Sequence, residues 1–170
     1  MADSDLWPEE GELLICIVSS VKENGAYLKL EGYEGRTGFV FIGEVASGWV
    51  KNISAHLREG QRVVAKAIQV RKDKQRIELS IKSVSEERRR DTLQAWKNRQ
   101  RAGQLMRVAA ERVGWDDAKS AEVSSAMIES FGTLYGALEE CAISDSALID
   151  AGFEGDWTGT VTSLAMENII

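Results

Sequence analysis

Ala26-Tyr27-Leu28-Lys29-Leu30 alternates strictly, with Leu28 and Leu30 on one side and Tyr27 and Lys29 on the other. Period two is the mark of a half-buried strand. An aliphatic stretch over 12–21, bounded by Gly11 and by Asn24-Gly25, precedes it and predicts a first strand. Glu34-Gly35 predicts a turn. On the third strand, 37–42, Phe39 and Phe41 share a side opposite Val40 and Ile42. The pattern lapses over 43–60, where Gly48 interrupts, Trp49 and Val50 stand alone, and His56–Gly60 predicts a helical turn stopped by glycine. Residues 62–70 and 76–80 predict the fourth and fifth strands around a polar hairpin loop, 71–75. Five short strands with a long link from third to fourth describe an all-β five-stranded OB-type barrel.

The period changes at Val84-Ser85. Ser85 suits a helix cap, and Glu86 and Glu87 suit the positive end of the helix dipole. Leu93, Trp96, Leu105, Val108 and Ala109 then recur at helical spacing up to Gly114, with Gly103 as an expected break. Trp96 is expected to be buried. Further amphipathic pieces cover 118–131 (Val123, Met127, Phe131), 133–142 (Leu134, Leu138), 145–151 (Leu148, Ile149) and 157–170 (Val161, Leu164, Ala165, Ile169). The apolar face of the last piece needs a surface to cover, so the chain is expected to be cut short before a third domain. Two domains follow: the barrel over 1–84 and a small all-α helical domain over 85–170.

Charge separates the same regions. Residues 1–84 carry 12 basic and 12 acidic side chains, 85–112 carry eight against four, and 113–170 carry Lys119 against 11 acids. The net charge of −6 argues against a whole-molecule polycation wrapping nucleic acid, and leaves room for a local basic face. No apolar run approaches 18 residues, so a helical membrane span is not predicted. The acidic start, Met-Ala-Asp-Ser-Asp, is unlike a secretory leader. Cys16 and Cys141 lack any metal or redox spacing and predict two inert buried thiols in a reducing, cytoplasmic setting.

Catalytic chemistry finds no support. His56 is the single histidine and has no companion ligands, so neither a metal site nor a cofactor is expected. The paired acids Glu86-Glu87, Asp116-Asp117 and Glu139-Glu140 are sequence neighbours, and nothing makes them bracket a cleft. No phosphate-loop glycine motif occurs. The positive hypothesis rests on aromatics and cations. Exposed rings on a sheet stack on bases while nearby cations hold phosphates. The candidates are Tyr27, Phe39 and Phe41 with Lys29, Arg36, Lys66, Arg71, Lys72, Lys74 and Arg76, joined by Arg89, Arg90 and Lys97 of the basic helix. One face of the third strand must be core. Phe39 is therefore expected to pack inward, with Tyr27 and Phe41 at the surface.

The motifs Asn24-Gly25-Ala26-Tyr27 and Gly35-Arg36-Thr37-Gly38-Phe39-Val40-Phe41-Ile42-Gly43-Glu44-Val45 resemble the signature of the S1 RNA-binding domain. Val50–Ile53, Leu57–Gln61, Ile77-Glu78-Leu79-Ser80 and the passage into an Arg-rich helix with Trp96 further resemble the alpha subunit of translation initiation factor 2 in its archaeal form. The resemblance implies a non-catalytic subunit of a heterotrimer that carries initiator methionyl-tRNA to the small ribosomal subunit. It also implies contacts with initiator tRNA, ribosomal RNA or mRNA, and a C-terminal domain that docks on a GTP-binding gamma subunit. Eukaryotic relatives carry a phosphorylatable serine, followed by arginines, where this chain has Ala46-Ser47-Gly48-Trp49, so their phosphate switch is not expected here. Two other readings stand beside this one: a generic S1 module of RNA decay or transcription, and a protein scaffold using the acidic 113–170 surface.

Overall fold

A computed structural model describes residues 6–33 and 35–169. The chain divides into two compact units, 1–94 and 95–170. In the first, strands β1 (Leu13–Val21), β2 (Gly25–Leu30), β3 (Thr37–Phe41), β4 (Arg62–Arg71) and β5 (Arg76–Ser80) close a barrel in the order β1-β2-β3-β5-β4. All pairings are antiparallel except β3 with β5, which is parallel. Among the described strands, closure leaves no open sheet edge to recruit another chain. The Glu34 half of the expected Glu34-Gly35 turn lies outside the described residues.

Alternation along the strands fills the barrel. Leu28, Val40, Leu79 and Ile77 are almost wholly buried, as are Cys16 and Val18 from β1. Burying a side chain of this size stabilises by about 1.5–3 kcal/mol. Burial, with a smaller push from the charge of Glu31, raises the Cys16 thiol to about 12, so it stays protonated and unreactive.

The stretch 43–60, featureless in the sequence pattern, is a plug. Val45, Val50, Ile53 and Leu57 insert into the barrel core. The helical turn lies at Ile53–Ala55, not at His56–Gly60, because the Asn52 side chain accepts from Ser54 N at 3.0 Å and starts it earlier. His56 is exposed.

An N-terminal strap lies along the barrel. Trp7 packs against the core, and the Tyr33 hydroxyl donates to Glu12 Oε2 at 2.7 Å. That bond, then partial burial and the charges of Glu12 and Glu9, pushes the phenol up to about 12. The folded-state value lies above the ordinary one near 10, so protonated Tyr33 favours the folded state. Its contribution is complete below about pH 10 and is lost as pH rises toward 12. Denaturant melts of the parent and of Tyr33→Phe should therefore differ at neutral pH and converge in strong alkali. A gap of constant size would contradict this linkage.

Among the described residues five helices follow: α1 (Glu86–Val113), α2 (Asp117–Phe131), α3 (Leu134–Ile143), α4 (Ala147–Asp150) and α5 (Trp157–Asn168). Ser85 caps α1, its hydroxyl accepting from Arg88 N at 3.2 Å. The expected break at Gly103 does not occur; α1 runs through it, since one helical glycine costs only about 1 kcal/mol. Within 95–170 the core is formed by Ala102, Met106, Ala109, Val123, Met127, Leu138, Leu148 and Val161 with their neighbours. Val108 and Ile149, expected inside, are exposed, and Trp96 is half-buried. The helix expected over 145–151 shrinks to the single turn of α4. Val161, Leu164, Ala165 and Ile169 find their cover inside this unit, where α5 packs on α3, so the argument from an uncovered face lapses. No helix among the described residues is long and apolar enough to cross a membrane.

Candidate nucleic-acid interface

Tyr27, Phe39 and Phe41 meet on the outer face of β2 and β3. Register places Tyr27 opposite Phe39 and Gly25 opposite Phe41. The Tyr27 and Phe39 ring centroids are 4.9 Å apart and those of Phe39 and Phe41 4.8 Å, both edge-to-face. Such contacts add about 0.5–1.5 kcal/mol each beyond burial. Phe39 is thus not a core residue. Val40 takes the inward position, and Phe39 lies outside as the half-buried middle ring. It reaches that position because Gly25 has no side chain: a Cβ there would stand 2.4 Å from the Phe39 ring. Tyr27 and Phe41 flank it, each 44% exposed, which leaves a face of each ring for a ligand.

The three rings line a cleft of about 450 Å³ together with Asn24, Thr37, Lys74, Gln75, Arg76 and Glu78. Lys74 and Arg76 come from the β4–β5 hairpin and its exit, and both are exposed. Gln75, in the left-handed region at φ 52°, lets that hairpin turn tightly. Five of the candidates from the sequence therefore converge: Tyr27, Phe39, Phe41, Lys74 and Arg76.

The others lie elsewhere. Lys29 and Arg36 line a neighbouring depression with Thr37. The Arg36 guanidinium sits 3.5 Å over the Trp7 ring, and its Nε donates to Leu6 O at 2.9 Å, so it fastens the strap. Lys66 is half-buried on β4, opposite Leu13 and Ser80. Arg71 and Lys72 are exposed at the hairpin but do not line the cleft. Arg89 is tied back to Glu86, with Nε donating to Oε2 at 3.1 Å and Nη2 to Oε1. Arg90 is exposed on the same helix, and Lys97 is exposed in the second unit. Asn24, Thr37, Gln75 and Glu78 were missed by sequence reasoning, because only the β2–β3–β5 register brings them beside the rings. No cluster of three or more His, Cys, Asp or Glu side chains among the described residues could hold a metal ion.

Glu44 and Ser80, from two separate motifs, prove to be one fastening. The buried Ser80 hydroxyl donates to Glu44 Oε1 at 2.6 Å, lies 2.8 Å from the Ser83 hydroxyl, and accepts from Ser83 N at 3.2 Å. Ile81 N and Lys82 N both donate to the Glu44 carbonyl at 2.9 Å. This ties the exit of β5 to the start of the plug, beyond which Trp49 stands 85% exposed. Ser80→Ala should lower stability by about 1.5 kcal/mol, the low end for a bond to a charged partner, since Lys82 and water still reach Glu44. A chemical-denaturation midpoint unchanged from the parent would rule the fastening out.

The S1 RNA binding domain family matches residues 8–82. The translation initiation factor 2 subunit alpha of Methanopyrus kandleri is 42% identical over 165 residues, covering 95% of this chain and 62% of that protein. The same subunit of Methanothermobacter thermautotrophicus is 41% identical, covering 96% and 63%. The chain therefore spans about three fifths of the length of these curated relatives. A chain of the a/eIF2alpha–aDim2p–rRNA complex from Pyrococcus horikoshii is 35% identical at a TM-score of 0.79, covering 97% of this chain and 99% of its own. The intact alpha subunit of aIF2 from Pyrococcus abyssi is 36% identical at a TM-score of 0.83, covering 96% and 63%.

Proposed function

Since this chain belongs to the translation initiation factor 2 alpha-subunit family, we propose that it is the non-catalytic, RNA-contacting part of an initiation factor. That factor brings initiator methionyl-tRNA to the small ribosomal subunit, and its GTP-binding gamma subunit is the protein partner of the full-length alpha chain. The observation that carries this reading is the aromatic cleft with its basic rim on an S1 barrel. The solved relative in a complex that contains ribosomal RNA supports it. Bases stack on the exposed faces of Tyr27 and Phe41, and phosphates pair with Lys74 and Arg76.

Two measurements test the reading. With the full-length protein, gamma subunit and GTP reconstituted, initiator tRNA should be retained more tightly than without alpha; equal retention would overturn the role. For the RNA contact itself, binding should weaken steeply with salt as counterions return. Lys74→Gln with Arg76→Gln should lower the log–log salt slope by about 1.4, from two lost phosphate contacts on a single strand. An unchanged slope in a folded variant would put the phosphates elsewhere.

Regulation follows a different course from that of the eukaryotic relatives. Ala46 has no hydroxyl and packs half-buried against the barrel core, and the exposed Ser47 has no arginine beside it in sequence. The phosphate switch of those relatives is therefore not expected in this loop, and stoichiometric phosphate on Ser47 in phosphopeptide mass spectrometry of the native protein would overturn this.

A further inference from the structure

Glu78 is out of place in a cleft built for a polyanion. Among the described residues that line the cleft it is the acid, sharing that lining with three aromatic rings and the cations Lys74 and Arg76. Strand register puts it in one row across the sheet: Tyr27 faces Phe39, Phe39 faces Glu78, and Glu78 faces Gln69. The carboxylate is also held in place. With the Gln69 amide turned to satisfy both its neighbours, its nitrogen donates to Glu78 Oε2 at 2.7 Å, and its oxygen accepts from Arg71 Nε at 3.2 Å and Nη2 at 3.1 Å. Arg71 thereby orients Glu78 through an amide and does not neutralise it directly, and no ion pair joins Glu78 to a cation among the described residues.

A phosphate cannot settle against this carboxylate, but the edge of a base can. An ionised carboxylate only accepts hydrogen bonds. Guanine presents two adjacent donors on its Watson–Crick edge, N1–H and the N2 amino group, which match the two oxygens. Cytosine and adenine each offer one amino group beside an acceptor nitrogen. Uracil flanks its one N–H with two carbonyl oxygens, which a carboxylate repels. Bases splayed out of a single strand are read on this edge.

We infer that Glu78 reads base identity in the cleft, selecting guanine first, cytosine and adenine next, and rejecting uracil. This rests on the cleft being the RNA site proposed above. Phosphate anchoring by Lys74 and Arg76 and stacking on Tyr27 and Phe41 are indifferent to sequence. Glu78 is what gives the site a preference.

Fluorescence anisotropy with short oligouridylate strands, each carrying one central G, C, A or U, tests it on the intact chain. The G strand should bind about 5- to 150-fold more tightly than the all-U strand, the range of one good carboxylate–base pairing. Glu78→Gln keeps the shape and removes the charge; it should collapse the difference, chiefly by improving the all-U strand. Glu78→Asp should keep the order of preference at reduced size. A parent that binds all four strands equally, or a Glu78→Gln variant that keeps the full preference for G, overturns the inference while leaving RNA binding intact. A parent that binds none of the strands overturns the proposed RNA site along with it.

Discussion

Replacing Tyr27 and Phe41 together by alanine is expected to weaken single-stranded RNA binding by about 2–6 kcal/mol, from two stacked bases at about 1–3 kcal/mol each. Both rings are 44% exposed and each leans edge-on against Phe39, so each is steadied on one side and open on the other. An aromatic held in this way loses little freedom when a base settles on it. The two lost edge-to-face contacts should also lower stability by about 1–3 kcal/mol, while the barrel interior, built on Leu28, Val40 and Leu79, keeps the fold. Anisotropy binding curves beside thermal melts separate the two effects. A folded double variant that binds RNA as tightly as the parent would show that these rings are not the platform.

Gly25→Ala is expected to destabilise the barrel by about 3 kcal/mol, the upper end for overpacking. The added Cβ would stand 2.2 Å from the Val40 carbonyl oxygen and 2.4 Å from the Phe39 ring. The ring can swing aside, but the carbonyl belongs to the β2–β3 ladder and moves only with its strand. Whichever yields, Phe39 leaves its place between Tyr27 and Phe41, so RNA affinity should fall together with stability. Denaturant titration and RNA binding on the same preparation would show both losses. An alanine variant as stable as the parent would mean that neither the Val40 carbonyl nor the Phe39 ring crowds Gly25. Phe39→Leu provides the complementary case: it relieves the crowding at Gly25, keeps the barrel, and weakens RNA binding by removing the support between the flanking rings.

The barrel was legible in two ways. β1 and β4, buried over three successive residues, show as aliphatic runs. β2 and β3 bury one face each, so that period two marks their buried positions without knowledge of any neighbour. Leu28 and Leu30 fall inward for that reason, and the change to helical spacing after Val84 marks the start of α1 as plainly. The plug was not legible. Val45, Val50, Ile53 and Leu57 follow no period, since each is placed by where the loop meets the barrel end and not by a repeating backbone. Gly103 misled for a related reason: a helix covered on one face carries a lone glycine without breaking.

What the sequence determines by itself is local: the strands and helices, the outward set of Tyr27, Lys29 and Arg76, and the unequal division of charge along the chain. Only the tertiary structure decides which of those outward residues share a site. Side-chain alternation says which face a residue is on, but the neighbour across the ladder depends on strand order and register, which are long-range properties of the closed barrel. The parallel pairing of β3 with β5 brings Glu78 beside Phe39, and so to Tyr27, from almost 40 positions away. The same closure leaves Lys66 and Arg71 outside the cleft, although their local sequence is no less basic than that of Lys74 and Arg76. Phe39 shows the division most sharply. Its strand could be read from alternation, but which face turns inward could not, and its place over Gly25 needed the missing side chain on the strand opposite.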